Sequence, residues 1–222
     1  MSNIEKFFQA IQAGDESTVK ALLDAEPGLA GTKNGQGLSA VLAAVYTGRN
    51  AIRDLLLARG MPLELHEAAA AGHLARVKQI VDANPALAKS YSPDGFPVFA
   101  LAAVFGHREI AEHLLQNGAD VNAAATNGSG YTALTGAATN GRTELVAWLL
   151  ANGANPNHRY GPGYTPLLAA AANGRLDTVK VLLEHGADLR AAANDGQTAA
   201  SLAEARGHKK VAEFLRGRAT TA

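Results

Sequence analysis

GYTPLLAAAANGRLDTVKVLLEHGADL, residues 163–189, can be read position by position as two short helices joined by a tight turn. Thr165 offers a hydroxyl to cap a helix, and Pro166 follows at the first helical position, where a missing N–H costs nothing. Leu167, Leu168 and the run Ala169 to Ala172 build a helix with little side-chain bulk, so neighbouring helices can come close. Gly174 ends it in the left-handed conformation that glycine adopts without strain. The chain then reverses into a second helix, where Val179, Leu182 and Leu183 lie three and four residues apart and share one face. Gly186 stops that helix, and Asp188 leads into the next connection.

Working outward, the same punctuation recurs. Gly14, Gly48, Gly72, Gly106, Gly141, Gly174 and Gly207 each follow an alanine-rich stretch, at successive intervals of 34, 24, 34, 35, 33 and 33 residues. Five of the six match the length of a helical pair with a short hairpin-like finger. Paired aliphatics recur at Leu22-Leu23, Leu56-Leu57, Ile80-Val81, Leu114-Leu115 and Leu149-Leu150, with glycine stops at Gly60, Gly118, Gly153 and Gly186. Ser39, Thr132, Thr165 and Thr198 mark helix starts.

The segments YTPLLAAAANG (164–174), GFPVFALAAVFGHREIAEHLLQNGADVN (95–122) and GYTALTGAATNGRTELVAWLLANGANPN (130–157) resemble the ankyrin-repeat family. The resemblance covers residues 4–216 and implies an all-α curved solenoid of about seven helix-turn-helix repeats with short finger loops. The repeats fall at 4–34, 35–63, 64–91, 92–122, 123–157, 158–189 and 190–216. Arg216 takes the place of an apolar residue and, with Glu204, Lys209, Lys210 and Glu213, makes the last repeat read as a cap with one face toward water. Residues 217–222 carry no apolar pattern and are expected to be frayed.

The 24-residue interval is the exception. Between Gly60 and Leu65, GMPLEL leaves no room for a finger, and residues 7–63 superimpose on 65–121 at an offset of 58, matching Gly14 with Gly72, Val19 with Val77, Asp24 with Asp82, Pro27 with Pro85, Leu56 with Leu114 and Gly60 with Gly118. The first half is therefore read as a duplicated two-repeat block. In both copies proline replaces the glycine stop, so those second helices should end at Pro27 and Pro85.

Bulk properties exclude several functions. Of the 222 residues 47% are hydrophobic, enough for a core, and 20 basic residues balance 20 acidic ones, so no net field draws nucleic acid or an anionic membrane. Cysteine is absent, which removes disulfides, thiolate catalysis and common zinc sites and fits a cytoplasmic location. No long apolar run suggests a membrane span or secretion signal.

Candidate chemistry is thin. His73, His107 and His208 follow inter-helix glycines, and the resemblance puts His66 in the position where the family carries a histidine bonded to a neighbouring finger. His113 and His185 lack a second ligand at i+4. Ser129 in NGSGYTALTG has no strand-turn-helix context, and GPGYTP lacks the lysine of a phosphate loop. Asp94, Glu109 and Glu112 fit solvated or helix-start positions. No catalytic residue, metal site or cofactor is expected, and the chain reads as a non-enzyme.

A partner would meet what stacking leaves exposed. In the family register, the positions facing the concave side are small or polar in the fifth and sixth repeats (Gly136, Thr139, Asn140; Ala169, Ala172, Asn173). The second repeat has Ala43, Tyr46 and Thr47 there, and the fourth has Leu101, Val104 and Phe105. Tyr91 and Phe96 flank one finger; Tyr131, His158, Arg159, Tyr160 and Tyr164 populate the next two. Seven of only twelve aromatics thus lie on fingers or the concave side, and aromatics and arginine are enriched at binding hot spots. Tyr131 and Tyr164 could instead brace the fingers, and Trp148, on a second helix, reads as packing. These residues predict a protein or peptide partner, docked along the second to sixth repeats. The alternatives are a small-ligand receptor or enzyme with a pocket near the shortened third repeat, and a scaffold associating with copies of itself through the apolar groove.

Overall fold

The computed structural model describes residues 2–219, and among these it contains fourteen α-helices. The chain divides into two compact units, Met1–Ile80 and Val81–Ala222. The first holds α1 (Asn3–Ala13), α2 (Glu16–Ala25), a 3-10 turn (Pro27–Gly31), α3 (Ala40–Tyr46), α4 (Asn50–Leu57), α5 (Leu65–Ala71) and most of α6 (Leu74–Ala83). The second holds a 3-10 turn (Pro85–Lys89), α7 (Val98–Val104), α8 (Arg108–Gln116), α9 (Ala133–Asn140), α10 (Thr143–Ala151), α11 (Pro166–Ala172), α12 (Leu176–Glu184), α13 (Ala199–Ala205) and α14 (Lys209–Ala219). No described helix is long and apolar enough to cross a membrane.

Within each unit, first helices stack on first helices (α1 on α3 on α5; α7 on α9 on α11 on α13), and second helices form a second layer. Small residues make the close stacking possible: every residue of α11 is buried. Gly136 in α9 has a reason to lack a side chain, because a Cβ there would lie 2.9 Å from Val104 Cγ2 of the preceding repeat. Second helices contribute the large aliphatics, and Leu56, Leu114, Leu149 and Leu182 are fully buried.

The expected punctuation is present. Ser39, Thr132, Thr165 and Thr198 cap first helices, accepting from the N–H of Leu42, Thr135, Leu168 and Ser201 at 3.2–3.3 Å. The inter-helix glycines all have positive φ, as do Gly60, Gly118, Gly153 and Gly186 just past the second helices. Gly141 and Gly174 carry a further constraint: a Cβ would meet Arg175 Cδ at 2.6 Å and His208 Nδ1 at 2.5 Å.

Several expectations are corrected. The second helices of the duplicated block end at Ala25 and Ala83, two residues before each proline, because proline disfavours helical backbone at the residue it follows; the prolines instead open 3-10 turns. His66 is the second residue of α5, and the position three after the N-cap is Glu67, which accepts from Glu64 N–H at 2.9 Å. His66 is buried with Nδ1 3.6 Å from Glu64 Oε2. At the other end α14 runs through Ala219, so residues 217–219 are helical, and residues 220–222 of the expected frayed tail lie outside the described residues.

Residues 58–64 join α4 directly to α5, without a finger. Leu63 is buried and its carbonyl accepts from Arg76 Nε at 2.9 Å, pinning the short link to α6.

Candidate protein-binding surface

Fingers are built from turn chemistry and then joined to one another. Isolated antiparallel bridges close four of them, Lys33 with Ser39, Tyr91 with Pro97, Tyr160 with Tyr164 and Ala192 with Thr198. In the second unit each finger tip gives a carbonyl to the next finger. Thr126 N–H donates to Gly95 O at 2.9 Å, His158 Nε2–H to Gly130 O at 2.8 Å, and Asn194 N–H to Pro162 O at 3.0 Å. Asn127 adds a bond from Nδ2 to Asp94 O at 3.1 Å, and Arg159 one from Nη2 to Ala192 O at 2.9 Å.

At the finger bases runs an asparagine ladder that the sequence reading did not single out. Asn122 Nδ2 donates to Gly153 O (3.0 Å) while its Oδ1 accepts from Asn155 N–H (2.8 Å). Asn157 repeats this with Gly186 O (2.9 Å) and Asp188 N–H (2.7 Å). The signal was available: both asparagines end a GA(D/N)xN run, 35 residues apart. The cations of the inter-helix turns were also missed. Arg142 donates to Val104 O, Arg49 Nη2 to Gln12 O at 2.9 Å and Arg206 Nη1 to Ala172 O at 3.4 Å, each placing positive charge at the end of a first helix in the preceding repeat.

This framework sorts the predicted contact residues. In the first unit Tyr46, the last residue of α3, is 37% exposed, whereas Ala43 is buried. In the second unit Leu101 is buried, so it serves stacking and is not an accessible contact. Val104 is half-buried and fills the space that Gly136 leaves; Phe105, at the C-cap of α7, is half-buried too. Asn140 and Asn173 turn their amides back onto Gly136 O and Ala169 O.

Tyr160 is buried. Its ring lies 4.8 Å from that of Tyr131 and 6.3 Å from that of Tyr164, and its hydroxyl is hydrogen-bonded with the Thr139 side chain. Burial, with the neighbouring tyrosines, pushes its phenol up to about 12 despite that bond. The bracing role considered for Tyr131 and Tyr164 thus falls chiefly on Tyr160, which ties its finger to α9. Tyr131 rests on it 38% exposed, and Tyr164 is half-buried. His158 and Arg159 spend ring and guanidinium on neighbouring fingers, as above.

Tyr91 is 42% exposed beside a hollow of about 90 Å³ lined also by Lys89, Pro97, Phe99, Asp120 and Ala123, and Phe96 is half-buried on the same finger. Trp148 packs near Phe99 (centroids 6.4 Å apart) with the Arg108 guanidinium 5.5 Å from its ring centre, next to a hollow of about 150 Å³. Among the described residues no group of three or more histidines and carboxylates could hold a metal ion.

Comparison with known proteins agrees with this architecture. The family model described as ankyrin repeats (3 copies) matches residues 65–160 and 137–221. The chain is 28% identical over 162 residues to the ankyrin repeat and SAM domain-containing protein 6 of Rattus norvegicus, covering 68% of this chain and 15% of that protein. It is 30% identical over 126 residues to the Mus musculus protein of the same name (57% and 11%). It is 42% identical over 87 residues to the E3 ubiquitin-protein ligase XBAT33 of Arabidopsis thaliana (39% and 17%). The chain therefore spans less than a fifth of the length of these relatives. Matched by the family model over most of its length and built from stacked helical pairs with bridged fingers, the chain belongs to the ankyrin-repeat family.

Proposed function

We propose that the second unit presents a preformed surface for a protein or peptide, with Phe105, Tyr131 and Tyr164 as its apolar contacts. Ankyrin repeats are in general protein–protein interaction modules, and the family is generally non-enzymatic. The observation that carries the reading is the tyrosine stack: Tyr160 is buried and bonded with Thr139, and it holds Tyr131 partly exposed at a ring distance of 4.8 Å on a finger itself bonded to its neighbours. A side chain already held in place loses little freedom on binding, so more of its contact energy reaches affinity. Tyr46 on the first unit is proposed as a separate contact.

The small-ligand alternative draws less support. The hollow of about 90 Å³ is lined partly by residues 88–91, at the end of the third repeat, and that of about 150 Å³ lies between the fourth and fifth. Both are below the roughly 300–1,000 Å³ of ligand pockets.

A pull-down with the whole chain, set against a Phe105→Ser/Tyr131→Ser double variant, tests the proposal. Proteins retained by the parent should be lost or depleted about tenfold with the variant, whose circular dichroism should be unchanged. Equal recovery by a folded variant would remove this surface from consideration.

A further inference from the structure

The formal charge of the chain is zero, but the charge is not evenly placed. Residues 32–198 carry thirteen basic and thirteen acidic side chains. The helical pair α1–α2, within residues 2–31, has five carboxylates (Glu5, Asp15, Glu16, Asp24, Glu26) against two lysines. The pair α13–α14, residues 199–219, mirrors it, with five cations (Arg206, Lys209, Lys210, Arg216, Arg218) against two glutamates. All ten of these majority side chains are exposed.

Internal pairing does not erase the imbalance. On α2, Asp24 is taken by Lys20 and Arg59, but Asp15 keeps its charge, held down to about 2 by hydrogen bonds from Thr18 and Ser17. On the basic pair, Arg216 is matched with Glu204. A shape-compatible surface for each pair also exists within the molecule, since a helical pair of this family stacks on another helical pair along both layers. The exposed Ile4 on α1 and half-buried Phe214 on α14 add apolar area to each face.

We infer that α1–α2 of one copy docks on α13–α14 of another, a contact between two different surfaces that carry opposite charge. Such a contact is heterologous, so it adds copies in sequence and does not stop at a two-fold pair. Its driving force is largely electrostatic, so it is weak and salt-sensitive, with attraction strongest where the Debye length exceeds the size of the face.

Sedimentation velocity on the whole chain tests this at two salt concentrations, about 20 and about 300 mM NaCl, across which screening changes most for exposed charges. At low salt the average mass should rise above 22.9 kDa with concentration, without levelling at two copies. At high salt the affinity should fall about tenfold or more. The variants Lys209→Glu/Lys210→Glu and Glu16→Lys/Glu26→Lys each reverse one face, and each alone should stay monomeric with unchanged circular dichroism. Mixed together they should associate one to one, because each retains the face the other needs. A parent chain that stays monomeric at low salt, a closed dimer, association indifferent to salt, or a mixture that fails to restore it would each overturn the inference. So would a monomeric parent that binds polyglutamate, which would make the occupant an acidic partner of another kind.

Discussion

The finger of residues 32–39 and the finger of residues 90–97 are copies of one another, separated by the 58-residue offset, and they fold alike. Asn34 N–H bonds Leu38 O and Gly37 N–H bonds Asn34 O; Ser92 N–H bonds Phe96 O and Gly95 N–H bonds Ser92 O. Their surroundings differ. Gly95 is covered by the next finger, with Thr126 Oγ1 2.9 Å and Asn127 N 3.0 Å from where a Cβ would stand, whereas Gly37 faces open space. Residues 58–64 supply no finger to cover it. Local sequence makes the finger, and the repeat interval decides whether fingers become a surface.

The largest effects probe what the two copies share. Leu56 and Leu114 are duplicates and both fully buried. Leu56→Ala and Leu114→Ala should each cost about 2–5 kcal/mol through lost burial and the cavity left behind. Urea titration of each variant reads this directly. A difference between them of more than about 1.5 kcal/mol would show that the copies have diverged in packing as well as in their fingers.

A smaller effect separates the inter-helix turns. Gly48 and Gly174 have nearly the same φ, 69° and 70°, but only Gly174 is crowded, by His208 of the next repeat. Gly48→Ala should cost about 1–2 kcal/mol from the left-handed backbone alone. For Gly174→Ala we expect about 1–3 kcal/mol more, from overpacking. Adding His208→Ala should return it to the Gly48→Ala value; if the double variant stays as unstable as the single one, the histidine is not the cause.

Next comes the ladder of the regular repeats, built on Asn122 and Asn157. Asn157→Ala removes bonds to Gly186 O and Asp188 N–H and should cost about 1–3 kcal/mol in thermal or urea unfolding. Asn34→Ala removes only bonds within its own exposed finger, to Gln36 N–H and Leu38 N–H, and should cost about 1 kcal/mol or less. Equal losses would mean that the ladder adds nothing between repeats.

Much of the fold was legible because it rests on local rules. Threonine caps, positive-φ glycines and paired aliphatics act within one repeat, and even the missing finger was visible in the length of GMPLEL. The candidate site was less so. Register puts Leu101 on the concave face and Tyr160 on a finger, but both are buried, and Tyr160 packs against Tyr131 and bonds Thr139, 29 and 21 residues earlier in the preceding repeat. Likewise His158 and Arg159 look like contact residues until the carbonyls of Gly130 and Ala192 arrive beside them. Family register points to His66, while the N-cap of α5 at Glu64 moves that register by one.

At neutral pH a similarly small effect belongs to Tyr160→Phe, which loses one hydrogen bond to Thr139 and should cost about 0.5–1.5 kcal/mol. Its value lies in alkaline solution. The folded phenol titrates at about 12, against an ordinary value of 10.0, so the folded state keeps its proton where the unfolded chain has given it up. Tyr160 therefore contributes stability that is fully present below pH 10 and is lost as the pH rises from about 10 to about 12. The phenylalanine variant has no such loss, so the gap between the two proteins should narrow over that range. The first unit's finger carries Lys33 on its bridge where this one carries Tyr160, and offers no counterpart. A gap that stays constant from pH 8 to pH 12 would mean that Tyr160 is not shielded by its neighbours, and the support it gives Tyr131 would have to come from elsewhere.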